Sequence, residues 1–248
     1  MIILKSDREV QIMREAGRIV AQCHAVLEKS IQPGITTKEL DQIAEKFILA
    51  AGGIPSFKGH HGFPACICTS INDVICHGIP DQTALQDGDV ITIDIGVKLE
   101  GYHGDSAWSY AVGPITPALA QLMRVTKECL DLGIEQARPG KRIGDIGAVI
   151  QRYAEQFHYG VVREFCGHGI GQNLWEEPQI PHYGQPGRGP VIKPGMVIAI
   201  EPMITNGKWQ AKIDRDGWTA RTIDNSICIQ YEHTLAVLES ETVILTQL

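Results

Sequence analysis

Two carboxylates sit where apolar strands should be. Asp94 interrupts Val90-Ile91-Thr92-Ile93-Asp94-Ile95-Gly96, and Glu201 closes Val197-Ile198-Ala199-Ile200. A charge buried in such a run is costly unless it is paired or bound to a metal. Singly, each reads as readily as an edge residue or a partner for arginine as it does as a functional carboxylate. Asp105 follows eleven residues after Asp94, across Lys98-Leu99-Glu100-Gly101-Tyr102. A two-residue hairpin loop at Glu100-Gly101 sets Leu99 opposite Tyr102 and Gly96 opposite Asp105. Asp94 then shares a face with Asp105, one diagonal step away. A two- or four-residue loop converges the two carboxylates, and a three-residue loop separates them. Without a cation, that convergence is repulsive.

Glu232 lies in an alternating run from Ile227 to Val237, on the face of Gln230 and Thr234. Alone, it reads as a solvated strand residue. His168 stands in Cys166-Gly167-His168-Gly169-Ile170-Gly171, where glycines let the backbone pack close around the imidazole. A single histidine is more often structural than a ligand. His77, in Cys76-His77-Gly78-Ile79-Pro80, is framed by a turn. Taken jointly, the four carboxylates carry four negative charges, which two divalent cations balance. Oxygen donors with one imidazole and no thiolate suit Mn, Fe, Co or Zn. Two such ions about 3.5–4 Å apart form a hydrolytic arrangement that lowers the pKa of water.

The elements that must position these groups are legible in the spacing. Residues 7–29 form an amphipathic helix with Ser6 and Glu9 as a capping box and Pro33-Gly34 beyond its end. A second helix spans about 37–51, capped by Thr36 and Glu39 and closed by Gly52-Gly53. Residues 54–113 are β-rich. A third helix begins at Thr116-Pro117 and ends before Pro139-Gly140. A fourth covers about 143–159 and closes at Gly160; the remainder is strand and loop. The order repeats. Pro33-Gly34 matches Pro139-Gly140, His61-Gly62 matches His168-Gly169, and Gly88 to Asp94 matches Gly195 to Glu201, all at a spacing of about 107 residues. The expectation is an α+β fold in one domain, 1–248. Two half-repeats, approximately 1–113 and 114–248, pack about a pseudo-two-fold axis around a central antiparallel sheet.

Composition excludes several classes. The chain has 248 residues and a formal net charge of −7, with no Lys/Arg-rich run, which argues against nucleic acid or an anionic membrane as partner. No apolar run approaches the ~18 residues of a membrane span, and the first residues turn polar too soon for a secretory signal. A cytoplasmic monomer is expected. Seven scattered cysteines without a C-x-x-C pair argue against a disulfide framework or a structural zinc site. Gly-x-Ser-x-Gly, His-Glu-x-x-His, a P-loop and Gly-x-Gly-x-x-Gly are all missing.

Across nearly the whole chain, a set of short motifs resembles the type I methionine aminopeptidases, in the pita-bread fold. The motifs are Gly62-Phe63-Pro64, Ser70-Ile71-Asn72, His77-Gly78-Ile79-Pro80, Ile93-Asp94-Ile95-Gly96, Gly104-Asp105, Gly167-His168-Gly169-Ile170-Gly171, Glu176-Glu177-Pro178, Ile200-Glu201-Pro202-Met203, Asp216-Gly217-Trp218 and Gln230-Tyr231-Glu232-His233-Thr234. The resemblance implies removal of N-terminal methionine from peptides or nascent chains. It implies Asp94, Asp105, His168, Glu201 and Glu232 as ligands of two divalent ions, with Asp105 and Glu232 bridging. It also implies His77 near the scissile peptide and Glu201 as proton acceptor. Phe63, Cys68 and Trp218 match positions of an apolar methionine pocket, although without the resemblance plain core packing explains them better.

Three positions depart from that pattern. A second active-site histidine of the family is replaced by Trp175, the aromatic before it by Leu174, and the aromatic before His61-Gly62 by His60. An indole donates one hydrogen bond and neither accepts one nor carries a proton. Weakened or altered turnover is expected, and Trp175→His should raise it. Two alternatives remain: a proline-directed pita-bread aminopeptidase, for whose usual extra N-terminal domain 248 residues leave no room, and a non-catalytic peptide-binding protein.

Overall fold

Side-chain caps start three helices where the sequence places them. The computed structural model describes residues 1–248. Helix α1 (Asp7–Glu28) follows Ser6, whose hydroxyl accepts from Glu9 N while the Glu9 carboxylate accepts from Ser6 N. The same reciprocal box, Thr36 with Glu39, opens α2 (Thr37–Ala50). Thr116 caps α3 (Pro117–Gln136), with proline at its first position. α4 (Ile143–Gln156) ends earlier than the spacing suggests, and Gly160 opens a short strand instead of closing the helix.

In chain order the strands are β1 (Ile54–Pro55), β2 (Ile67–Ile71), β3 (Val74–Cys76), β4 (Val90–Leu99), β5 (Tyr102–Ala111), β6 (Gly160–Val161), β7 (Gly167–Gly169) and β8 (Glu176–Ile180). They continue as β9 (Val197–Ile200), β10 (Met203–Thr205), β11 (Ala211–Ile213), β12 (Ala220–Thr222), β13 (Cys228–Gln230), β14 (His233–Val237) and β15 (Thr242–Ile244). Every ladder is antiparallel. One sheet pairs β4 with β5 along one edge and with β2 and β1 along the other; a second runs β15-β14-β9-β7-β8. Two three-stranded sheets, β13-β10-β6 and β11-β12-β3, flank them.

Each large sheet buries one face against a helix pair. Ile91, Ile93 and Ile95 of β4 pack with Val20, Cys23 and Leu27 of α1 and with Leu40 and Ala44 of α2. Ile198 and Ile200 of β9 and Leu235 of β14 pack with Leu122, Val125 and Cys129 of α3 and with Ile146 and Ile150 of α4. Fully burying one such aliphatic side chain stabilises the fold by roughly 1.5–3 kcal/mol. Strand alternation then turns Asp94 and Glu201 to the opposite, inner faces.

The inner faces meet at a hydrogen-bonded seam, and here one expectation changes. The run Ile227 to Val237 is not one strand: it breaks between β13 and β14, at Tyr231 and Glu232. At the break Glu232 N donates to Ala107 O of β5 at 2.8 Å. Ser106 Oγ donates to Glu232 O, and Thr234 Oγ1 both accepts from Asp105 N and donates to Asp105 O. The face of Gln230, Glu232 and Thr234 is therefore buried against β5 rather than solvated.

Candidate metal centre

The hairpin joining β4 and β5 has the two-residue loop. Leu99 faces Tyr102, Gly96 faces Asp105, and Asp94 faces Ala107. Glu100 and Gly101 both take positive φ, 46° and 89°, the requirement of a tight turn that follows sheet twist. Asp94 and Asp105 consequently lie on one face of the hairpin and line the same cleft. On the other edge of β4, Cys68 of β2 pairs with Asp94 and enters the same face.

The second sheet brings the remaining groups. His168 on β7 pairs with Ala199 on β9, just ahead of Glu201. The approach needs glycine: a Cβ at Gly167 would lie 2.3 Å from Ala199 O. His168 Nδ1 donates to Gly169 O at 2.9 Å, which fixes the tautomer and leaves the Nε2 lone pair free. That Nε2 lies 3.6 Å from Glu201 Oε1 and 3.9 Å from Asp105 Oδ2. Ligand atoms of Asp105, His168 and Glu232 all fall within 4.8 Å of one another. All five side chains singled out from the sequence converge on one cleft.

The chemistry of this set fits divalent cations. Asp94 Oδ1, Asp105 Oδ1 and Glu232 Oε1 are buried and have no hydrogen-bond partner. Buried acceptors are ordinarily satisfied, so three in one cluster suit coordination to a cation. Burial, followed by mutual repulsion, raises Asp105, Glu201 and Glu232 well above the usual carboxylate range. Burial holds the His168 imidazole down to about 4, so at neutral pH it is a neutral donor and not a counter-ion. No lysine or arginine balances the carboxylates at the cleft. A cation in the midst of the carboxylates removes the repulsion and satisfies the orphaned oxygens.

The cleft, about 510 Å³, extends from these carboxylates to an aromatic wall. Phe63 and Trp218 meet edge to face at 5.2 Å, with buried Cys68 also in the lining. His77 projects into the cleft from a residue at φ 57°, its ring 5.5 Å from Phe165 and 6.2 Å from Trp218. Gly78 permits this turn, because a Cβ there would lie 2.1 Å from Thr69 O. Trp175 sits at the mouth, 43% exposed, its ring 4.7 Å from that of His60 and 6.4 Å from that of His77. Leu174 is buried behind it.

Two orienting residues were not evident in the sequence. His182 Nε2 accepts from Glu201 N at 3.1 Å, and Gln230 Nε2 donates to Glu201 Oε2 at 3.1 Å. A lone histidine in Pro181-His182-Tyr183 carries no spacing signal. Gln230 had one, its shared face with Glu232. Phe57, Phe165 and Met203 add to the apolar lining and were likewise silent.

Residues 11–239 match metallopeptidase family M24. The chain is 55% identical to methionine aminopeptidase 1 of Bacillus subtilis (strain 168), over 247 residues and the whole of both chains. It superimposes on the crystal structure of methionine aminopeptidase from Rickettsia prowazekii with a TM-score of 0.98 and 40% identity, covering 99% of this chain and 100% of that one. The prolidase from Pyrococcus furiosus matches in fold, with a TM-score of 0.78 at 22% identity, but this chain covers only 66% of it.

Proposed function

The chain belongs to metallopeptidase family M24, and from that premise we propose that it removes N-terminal methionine from peptides and nascent proteins as a metal-dependent aminopeptidase of the pita-bread fold. The observation that carries this reading is the set of unpartnered buried carboxylate oxygens beside an apolar, aromatic-walled cleft. Asp94, Asp105, His168, Glu201 and Glu232 would hold two divalent ions; four carboxylates against two dications would leave no net charge in the buried site. When bound, such ions supply a Lewis acid and lower the pKa of water.

The chain's own groups do the rest. Glu201 takes the proton released as the water oxygen bonds to the first peptide carbonyl carbon. It returns a proton to the amine nitrogen as the C–N bond breaks. His182 and Gln230 hold Glu201 in place for both transfers. An imidazole N–H of His77 donates to the carbonyl oxygen as charge develops there. Phe63, Cys68 and Trp218 take the methionine side chain. Aromatic edges suit its thioether, and burial keeps the Cys68 thiol protonated. Residues 1–248 act as one catalytic domain; the paired order of two helices and a sheet supports two half-repeats. Trp175 lowers turnover unless another imidazole takes the place of the one it lacks.

A turnover assay on Met-Xaa and Xaa-Pro peptides, with Mn, Fe, Co and Zn supplied in turn, tests this reading. Release of methionine with small second residues is expected, whatever the preferred metal. Cleavage confined to Xaa-Pro peptides would favour the proline-directed alternative.

A further inference from the structure

The two unusual residues at the cleft mouth, His60 and Trp175, face each other. Their rings meet edge to face at 4.7 Å and 80°. His61, with φ 47°, stacks beside them, 6.0 Å from Trp175 and inclined by 10°. His60 lines the same cleft as the carboxylates and His77, and its Nε2 is buried without a hydrogen-bond partner. Burial and the neighbouring His61 hold His60 below the ordinary histidine value, so its ring is neutral and offers one N–H. A buried ring nitrogen left unpaired on a substrate cleft calls for a ligand atom. The indole packed against the ring restricts its rotation.

We infer that His60 is a substrate-contacting residue: its Nε2–H donates to a backbone carbonyl oxygen of the bound peptide, and Trp175 positions the ring. The inference rests on the aminopeptidase reading above. It also changes what Trp175 means. The imidazole lacking at 175 is present across the mouth at 60, so the two substitutions act as one exchange.

The test is a kinetic cycle on a Met-Ala peptide with metal-saturated enzyme. His60→Phe should lower kcat/KM by about 10²-fold, the scale of losing one oriented donor. His60→Gln, which keeps a donor, should recover most of that loss. Trp175→His should rescue His60→Phe, because either position then supplies the imidazole. Metal content should not change in any variant. The His60 ring nitrogen, followed by long-range proton–nitrogen spectra, should shift when L-methionine is added, alongside a change in Trp218 fluorescence. Full activity in His60→Phe, or a tenfold gain from Trp175→His alone, would overturn the inference. A Trp218 response without a His60 shift would do the same while leaving the aminopeptidase reading intact. Failure of L-methionine to perturb either group would count against both.

Discussion

Each residue at the metal centre is defined by what its neighbours leave unsatisfied. His168 shows this most simply: Gly169 O takes one ring nitrogen and thereby aims the other at Glu201 and Asp105. Glu201 depends on Gln230 in the same way. Replacing Gln230 by Leu removes that donor while keeping the volume. Metal affinity should fall by about 10–100-fold, the usual consequence of removing a group that orients a ligand, and competition with a chelator would measure it. An unchanged affinity would show that His182 alone suffices. Legibility at this scale was uneven. Asp94 and Asp105 could be placed from hairpin arithmetic because their separation runs through one turn. Glu232 could not, since its partners Ser106 and Ala107 lie far away in the chain and only the seam reveals that its face is covered. His182 offered no pattern, as its contact is with a backbone N–H.

Elements carry these residues with small tolerances. Helix ends followed from local caps, so α1, α2 and α3 start where Ser6, Thr36 and Thr116 require. The break between β13 and β14 was not legible, because both halves of that run alternate as one strand would. At the break Glu232 bonds to β5 instead, through its N–H to Ala107 O and its carbonyl from Ser106 Oγ. Close approach of α1 to β5 sets another limit. A Cβ at Gly104 would stand 2.7 Å from Gly17 N and 2.9 Å from Gly17 Cα, backbone atoms that cannot swing aside. Gly104→Ala should therefore cost about 1–3 kcal/mol, the range of an overpacked core, and displace the adjacent Asp105. Thermal unfolding together with metal titration would detect both effects. Loss of stability with full metal affinity would show that the helix, not the strand, gives way.

Over the whole molecule, burying four carboxylates makes stability depend on metal and on pH. Asp105, Glu201 and Glu232 keep their protons well above the usual carboxylate range in the ion-free fold, whereas the unfolded chain releases them. Such groups stabilise fully below the unfolded value, and that contribution is lost as pH rises toward the folded value. Chelator-treated protein should therefore lose unfolding free energy, and with it Tm, as pH rises above 7, by up to ~1.4 kcal/mol per pH unit for each carboxyl still protonated. Saturating metal should make the slope shallower, leaving the part from the buried thiols, which stay protonated in the fold while those of the unfolded chain ionise. Buried His24 and His233, held down to about 4 and about 3, act in the opposite sense below about 6.5. The comparison thus belongs above pH 7, where both are neutral folded or unfolded. Calorimetry with and without metal would decide, and parallel slopes would remove the carboxylates from the explanation.

At this scale the net charge of −7 gains a different meaning, since four of the acidic groups form the proposed ligand set. No helix is long and apolar enough to cross a membrane. The most direct test of the central claim is methionine release from a Met-Ala peptide as Mn is titrated into chelator-stripped protein. Release should be absent without metal, rise with added ion, and saturate by about two ions per chain. Release that persists unchanged after stripping, or none at any metal level with Mn, Fe, Co and Zn alike, would contradict it.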